Sequence, residues 1–345
     1  MDVRRDHPMR RRTQQVIRRL LLAIGLAMIA CSRDGGPTSP DGLPGSTPGT
    51  FASDPSSAEL AVSDIANFWS AFDEYRRTKS TLAFQSAYLH RASSGLVDFA
   101  TARNISAASL AQMVDAFPRY FAASRAASMS LANGAVNAQV RAGYVAIKAL
   151  YPAAVFPTVT FAVGRFSTGG TIANNRILTG SEFYTANEGV PTDELGAFQR
   201  TNVKPLSTLP IIVAHEHVHI LQSRGGGLLG RNTLLEQSLA EGIADFIGEL
   251  VSGGNINEWQ RPYALAHEHE LWAQFKSQMS GTDVTQWLYN QGTASGERPG
   301  DLGYFIGYRI AQSYYVKTID KTQAIKDIIE VQNATTFLAA SGYNP

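Results

Sequence analysis

His215-Glu216-His217-Val218-His219 is the stretch of this sequence that says most about its fold, because it has the spacing H-E-x-x-H. On an α-helix, residues four positions apart lie on one face, about one turn apart. His215 and His219 can therefore bind the same metal ion. Glu216 directly follows the first histidine, where its carboxylate can reach a water molecule at that ion. His217 lies about 200° around the helix from His215, so we expect it to be packed or at the surface rather than to bind the metal.

The residues around this motif predict a buried helix. An apolar run leads into it over 210–214, residues 220–222 continue it, and neither proline nor glycine occurs from 211 to 222. The glycines at 225–227 are a stop signal. The alternative is a solvated helix that carries surface histidines, but Ala214, Val218 and Leu221 are too apolar for a freely exposed helix.

An acidic pattern follows 22 residues after His219. Glu241-Gly242-Ile243-Ala244-Asp245 reads E-x-x-x-D within residues 234–250, where apolar residues recur at helical spacing. An acidic pair on one face of an apolar helix needs partners, since an unpaired charge is costly there. Glu241 is a candidate third metal ligand, and Asp245 can accept a hydrogen bond from a ligating histidine. Three protein ligands leave one position open for water, as in a catalytic zinc site, so we predict one Zn²⁺ per chain.

The two motifs together resemble those of the gluzincins, the thermolysin-like zinc metallopeptidases. More closely, the chain resembles an uncharacterised family of predicted zinc-dependent proteases, many of which are bacterial secreted or lipid-anchored proteins. Residues 161–171 and 303–309 also fit that family, and the resemblance extends from about residue 60 to residue 340. It implies a zincin-like domain of the α+β class, mainly α-helical, with a small β-sheet beside the active-site helix. It also implies a peptide or protein substrate. We expect endopeptidase activity, with exopeptidase activity as the alternative.

A hydrolytic mechanism assigns further roles. Glu216 would act as the general base and later pass the proton to the leaving amine. A separate donor should stabilise the oxyanion, and Tyr308 and Tyr304 are the candidates. His267 and His269 come after them, although ordinary packing explains both histidines more simply.

The remainder of the chain predicts helices around one sheet. Helical patterns occur first at 58–77, 81–95, 105–128 and 134–150, and then at 256–279, 302–317 and 321–329. Residues 155–163 predict a strand, and 172–183 a second one after a turn at 169–170. An edge strand of this sheet could bind an extended substrate; a hairpin that only packs on helices is the alternative. Gly303 and Gly307 are spaced to allow close helix packing.

The N-terminus predicts a lipoprotein signal peptide over residues 1–31. Seven arginines precede an apolar stretch at 20–30, which is too short to span a bilayer comfortably. Met28-Ile29-Ala30-Cys31 resembles a lipobox, although Met28 stands where leucine is usual. Cys31 is the only cysteine, so no intramolecular disulfide can form, and we predict that it is the lipid acceptor. An ordinary signal peptide with an incidental cysteine and an uncleaved anchor are the alternatives.

Composition predicts the domains, location and partners of the mature chain. Residues 32–57 are rich in Gly, Pro, Ser and Thr and predict a flexible linker, and 58–345 form the metallopeptidase domain. We expect a location in the bacterial cell envelope, anchored through Cys31, or secretion. Ser32 rather than aspartate follows the cysteine, which favours the outer membrane of a two-membrane bacterium. Without residues 1–30, 23 basic and 27 acidic residues remain, so no basic surface for nucleic acid is expected.

Three functions are compatible with these features. The first is zinc-dependent peptide-bond hydrolysis by a membrane-anchored extracytoplasmic protease. The second is a catalytically silent zincin-like lipoprotein that acts as a binding or assembly factor in the cell envelope. Glu216 argues against it, because a structural metal site has no use for a base. The third, an adhesin without metal, leaves Glu241 and Asp245 unexplained.

Overall fold

The structure, a computed structural model, describes residues 42–291 and 297–345. The predicted signal peptide with Cys31, and residues 32–41 of the predicted linker, lie outside the described residues. The described part is mainly α-helical with a small sheet, which confirms the α+β class. In this part of the chain, no helix is long and apolar enough to span a membrane.

The helices fall into a group before residue 156 and a group after residue 180, and three strands lie between the two groups. The first group comprises α1 (Ser63–Thr78), α2 (Leu82–Ala87), α3 (Ser94–Arg103), α4 (Ala107–Ala116), α5 (Pro118–Ala132) and α6 (Asn137–Leu150). The second comprises α7 (Ala197–Asn202), α8 (Leu209–Gly225), α9 (Leu234–Ser252), α10 (Arg261–Ala266), α11 (Glu268–Gln278), α12 (Leu302–Lys317), α13 (Lys321–Ile329) and α14 (Ala334–Ser341).

Five short strands form one mixed sheet. They are β1 (Phe51–Ala52), β2 (Leu60–Ala61), β3 (Phe156–Ala162), β4 (Gly170–Ala173) and β5 (Arg176–Gly180). The order is β1-β3-β5-β4, and β2 also pairs with β3. All residues of β3 are buried, because helices α3 and α8 both pack against it. Among the described residues β4 pairs with β5 alone, so it is an edge strand.

The predicted return strand over 172–183 differs from the structure. A hairpin turn at Asn174 and Asn175 divides this region, and both residues have positive φ angles, 49° and 64°. Asparagine tolerates this backbone conformation better than most residues, and paired positive φ values are typical of tight hairpin turns. The result is an antiparallel β4–β5 hairpin in which β5 runs parallel to β3.

Residues 42–57, predicted as the end of a flexible linker, pack on the domain instead. Leu43 is buried, and Ser46 Oγ donates to Asp98 Oδ1 at 2.6 Å. Asp98 also forms a buried ion pair with Arg176 at 2.6 Å. Phe51 begins strand β1, which pairs with β3. This segment packs on the domain although it has few large apolar residues, because its backbone pairs with strand β3 and its polar side chains contact the buried ion pair.

Helices α9 and α12 are in backbone contact. A Cβ atom at Gly242 would overlap the backbone of Gly307 and Tyr308, and a Cβ at Gly307 would overlap the carbonyl of Ser238. The close packing predicted from Gly303 and Gly307 is therefore confirmed. This contact brings α12 directly against the helix that carries Glu241 and Asp245.

Candidate metal centre

Helix α8 holds the H-E-x-x-H motif in the interior of the protein. It begins at Leu209 with Pro210 in its first turn and ends before Gly226, whose left-handed φ of 71° closes the helix. The predicted stop at 225–227 is thus confirmed. Both motif histidines and the glutamate between them are less than 10% exposed: His215 5%, Glu216 7% and His219 6%. The site is shielded from water but not sealed.

Helix α9 supplies the acidic residues. Thr233 caps its N-terminus and forms a capping box with Glu236, which fixes where the helix starts. Gly248 lies where α9 approaches α8, and a Cβ atom there would be at an ordinary van der Waals distance, 3.4 Å, from His215 N. Glu241 and Asp245 therefore both face α8, one turn apart.

Three potential ligand atoms converge between the two helices. His215 Nε2 lies 3.1 Å from His219 Nε2. Glu241 Oε2 lies 3.2 Å from His219 Nε2 and 3.4 Å from His215 Nε2. Ligands at about 2.1 Å from a tetrahedral zinc ion lie about 3.4 Å from one another, so these atoms have the spacing of one face of a zinc coordination tetrahedron. Within the described residues, these two histidines and one glutamate form a group that could hold a metal ion.

A second layer of hydrogen bonds orients both histidines. His215 Nδ1 donates to Asp245 Oδ1 at 2.8 Å, and Asn257 Nδ2 donates to the other oxygen of Asp245 at 2.8 Å. His219 Nδ1 donates to Gln222 Oε1 at 2.8 Å. Each Nδ1 proton is thereby fixed, and each Nε2 is directed to the shared centre. The sequence reasoning identified Asp245 but missed Gln222, although its position three residues after His219 on the same helical face is a usable signal.

The charges in this cluster strongly affect one another. Burial lowers the pKa of His215, but hydrogen bonds to Asp245 and Glu241 outweigh burial and raise this pKa above its usual value. Burial alone would raise the pKa of Glu241, yet His219 and His215 hold it well below its usual range. The cluster therefore favours a Glu241 carboxylate beside positive charge. A metal cation bound there would displace the histidine protons.

Glu216 lies under the edge strand of the sheet. A Cβ atom at Gly170 would be only 2.7 Å from Glu216 Oε1 and 2.8 Å from Ile212 Cγ1. Strand β4 can therefore pass over the glutamate only because residue 170 is a glycine. Burial is also the main cause that raises the pKa of Glu216 above its usual value.

His217 faces away from the cluster, as predicted. Its Nε2 donates to the Val155 carbonyl at 2.7 Å, and its ring packs against Tyr144 and Phe156. Burial lowers the pKa of His217 to about 4, so it is a neutral core residue at neutral pH.

The two predicted tyrosines have different surroundings. Burial raises the pKa of Tyr304 well above its usual value, and Glu241 is the next contributor, so its hydroxyl lies in the field of the cluster. Tyr308 instead lies with its ring 5.0 Å from the Arg261 guanidinium. Burial, followed by Glu249, raises the pKa of Tyr308 to about 12. The ring of Tyr304 packs edge-on against that of Tyr289, with centroids 6.3 Å apart, whereas Tyr308 packs against Arg261.

A third tyrosine, which the sequence reasoning missed, contacts the cluster directly. Tyr289 Oη donates to Glu241 Oε1 at 2.9 Å. It lies in a loop with a positive φ of 57°, and the loop is tied to the start of α12 by hydrogen bonds between Asn290 and Asp301, at 2.7 Å and 2.6 Å. No pattern in the sequence marks Tyr289, because its position depends on contacts with helices that are distant in the chain.

The two histidines considered as further oxyanion donors, His267 and His269, stay outside this cluster. His267 stacks on Tyr263, with ring centroids 4.1 Å apart, and its Nδ1 donates to the Tyr263 carbonyl at 2.9 Å. His269 is exposed. Packing therefore describes His267 better than a role in stabilising an oxyanion.

A buried H-E-x-x-H helix with a glutamate from a second helix is the arrangement expected of a zinc-dependent protease. Residues 174–336 match the model of a family described as "Predicted Zn-dependent protease (DUF2268)". The matched segment contains both motifs, and it confirms the resemblance to a family of uncharacterised zinc proteases. It begins later than the extent of about 60–340 expected from sequence. No curated protein and no solved structure matches the chain.

Proposed function

We propose that this protein hydrolyses peptide bonds at one zinc ion held by His215, His219 and Glu241. The observation that supports this most strongly is the spacing of their three ligand atoms, 3.1–3.4 Å. The donor set of two imidazoles and one carboxylate suits zinc and leaves a coordination position open. Bound zinc would polarise the scissile carbonyl and lower the pKa of a water at that position toward about 7.

The protein's own contribution begins with holding the ligands. Asp245 and Gln222 keep the two imidazole rings in the tautomer that presents Nε2 to the centre. Tyr289 donates to the far oxygen of Glu241, which leaves Oε2 facing the histidines. The site is therefore preorganised before any substrate arrives.

Glu216 is the proposed general base. It accepts a proton from the attacking water and passes it to the nitrogen of the leaving amine. Its raised pKa, caused mainly by burial, suits a carboxylate that must both accept and release a proton. For the oxyanion donor, we propose Tyr304 or Tyr289 rather than Tyr308, because Tyr289 donates to Glu241 and Tyr304 packs against Tyr289.

The edge strand β4 is the proposed binding surface for an extended peptide. No second strand pairs with its outer edge among the described residues, and its first residue, Gly170, passes directly over Glu216. The carbonyl of Gly170 accepts a hydrogen bond from Thr168 Oγ1 at 2.6 Å, which a bound peptide would have to replace or leave in place. A peptide that pairs with this edge would place its own backbone above the base with little dependence on its sequence. This supports an endopeptidase that acts on unfolded protein chains.

Metal removal is the direct test of this function. The purified protein should contain about one zinc per chain and should cleave an unfolded protein substrate. Chelation should reduce cleavage to background, and added zinc should restore it. Circular dichroism before and after chelation shows whether the fold survives. Cleavage that persists in protein from which the zinc has been removed would rule out the proposed mechanism.

We also propose, from the sequence alone, that Cys31 carries a lipid that anchors the protein in a bacterial envelope. Cys31→Ser should move the protein from the membrane fraction to the soluble fraction, because the variant has no other thiol to acylate. Fractionation of cells that express each form is the measurement. An unchanged distribution would exclude a lipid at this cysteine.

A further inference from the structure

Arg103 is a cationic side chain beside the site for which the proposed mechanism has no use. It is the last residue of α3, and its Nη2 donates to Thr171 Oγ1 on the edge strand at 2.7 Å. Its Nε is buried and has no hydrogen-bond partner. Among the described residues, no carboxylate oxygen lies within 4.0 Å of its guanidinium to form an ion pair, in contrast to the buried pair of Arg176 with Asp98.

Arg103 is half-buried, but its Nε lies in the buried part, and a buried N–H without a partner is costly, which indicates that a hydrogen-bond acceptor is missing there. Burial lowers the pKa of Arg103, while the charge of Glu216 opposes that effect. Arg165 Nε donates to the backbone carbonyl of Arg103 at 2.8 Å, so this hydrogen bond does not occupy the guanidinium. The side-chain partner Thr171 occupies only one part of the guanidinium. A planar guanidinium binds a carboxylate through two parallel hydrogen bonds.

Arg103 contacts the edge strand next to the residue that lies over the proposed base, Glu216. Thr171, its hydrogen-bond partner, directly follows Gly170, which passes over Glu216. Residues of an extended strand are spaced by about 3.3 Å. In a peptide paired with β4, the residue closest to Arg103 would therefore be about one position away from the bond that lies above Glu216.

We propose that Arg103 binds a carboxylate of the substrate next to the cleaved bond. This inference rests on the proposed peptidase function and narrows its substrate class. Two kinds of peptide present that carboxylate: one with aspartate or glutamate beside the bond, and one that ends there with a free α-carboxylate. An endopeptidase would use the acidic side chain.

The competing explanation is that Arg103 acts only on Glu216, through its charge. In that case replacing Arg103 would change the rate for every peptide by the same factor, whatever the peptide's charge. A ratio of two rates on matched peptides therefore separates direct binding of a carboxylate from an effect on the base.

The test compares peptides that differ in one group. One pair carries Glu or Gln beside the cleaved bond, on each side in turn, and a second pair ends in a free or an amidated carboxyl group. The purified zinc-loaded protein should prefer one acidic member by about 10- to 100-fold in kcat/KM, the size of one or two charge-assisted hydrogen bonds. Arg103→Met should reduce that ratio to about one, and Arg103→Lys should retain part of it. Arg165→Gln, a matched loss of charge, should leave the ratio within about twofold of wild type.

A binding measurement makes the result independent of turnover. In the zinc-loaded Glu216→Gln protein, titration calorimetry should show tighter binding of the preferred acidic peptide than of its neutral partner. Adding Arg103→Met should abolish that difference. Zinc content and melting temperature verify that each variant is folded.

Three outcomes would overturn the inference: no acidic preference in wild type, a preference that survives Arg103→Met, or an equal loss of preference in Arg165→Gln. All three leave hydrolysis itself intact. If the zinc-loaded wild-type protein cleaves no peptide or unfolded protein, the proposed function fails instead, and the calorimetric comparison still decides whether Arg103 binds a carboxylate.

Discussion

Glu216→Gln should reduce hydrolysis of unfolded protein by about 10²- to 10⁴-fold, the range expected when a positioned general base is removed. The amide has nearly the shape of the carboxylate but cannot accept the proton from the attacking water. Glu216 is not a proposed ligand, so the zinc content should stay at about one per chain. The measurements are kcat/KM on an unfolded protein substrate and zinc by elemental analysis.

A glutamate outside the site provides the control. Glu188 is exposed, and Glu188→Gln removes the same charge without touching the cluster, so its activity should equal that of wild type. The alternative of a silent binding or assembly factor predicts that Glu216→Gln changes no function. Peptidase activity that survives in Glu216→Gln would remove this residue as the base.

His215→Ala should lose most of its zinc and all measurable hydrolysis. The substitution removes one of the three ligands. It also removes the imidazole that lies between the carboxylates of Glu241 and Asp245 and contacts both. Unpaired buried charge is destabilising, so a lower melting temperature should accompany the loss of zinc. His269→Ala is the matched control, because His269 is exposed and outside the cluster. Full zinc content in His215→Ala would disprove the ligand assignment.

Asp245→Asn tests the same centre without removing a ligand. The amide can still accept a hydrogen bond from His215 but has lost the charge that holds the ring. Zinc affinity should fall by about 10- to 100-fold. The affinity of this variant should therefore lie between those of wild type and His215→Ala. Competition with a chelator of known affinity measures this, and an affinity equal to wild type would mean that the 2.8 Å contact has no effect on the metal.

The motif helices could be predicted from the sequence because their signals are local. The helical repeat places residues i and i+4 on one face whatever the rest of the chain does, which paired His215 with His219 and Glu241 with Asp245. Glycine after the last apolar residue predicted the end of α8 at Gly226, and the paired glycines predicted the close packing of α12. Each of these predictions depends on fewer than ten consecutive residues.

The surroundings of the motif could not be predicted in this way. Tyr304 and Tyr308 share a helical face in sequence, and only the tertiary packing of α12 places Tyr304 beside Tyr289 and Tyr308 beside Arg261. The two asparagines at 174–175 do favour a turn. The parallel pairing of β5 with β3, however, is not encoded in the residues of either strand, because it depends on how the whole chain packs. Residues 42–57 read as a linker because their partners, such as Asp98, lie far along the chain.

The sequence by itself determined the H-E-x-x-H and E-x-x-x-D motifs and the helices that carry them, because the spacing of residues on a helix is set by the backbone repeat. Only the tertiary structure decided which groups surround these motifs. Gln222 is held by the carbonyl of Ala240 from α9 at 2.9 Å, Tyr289 arrives from a loop, and Arg103 from a helix more than 100 residues earlier. Their positions result from the burial of apolar surface between distant elements, which no local pattern specifies.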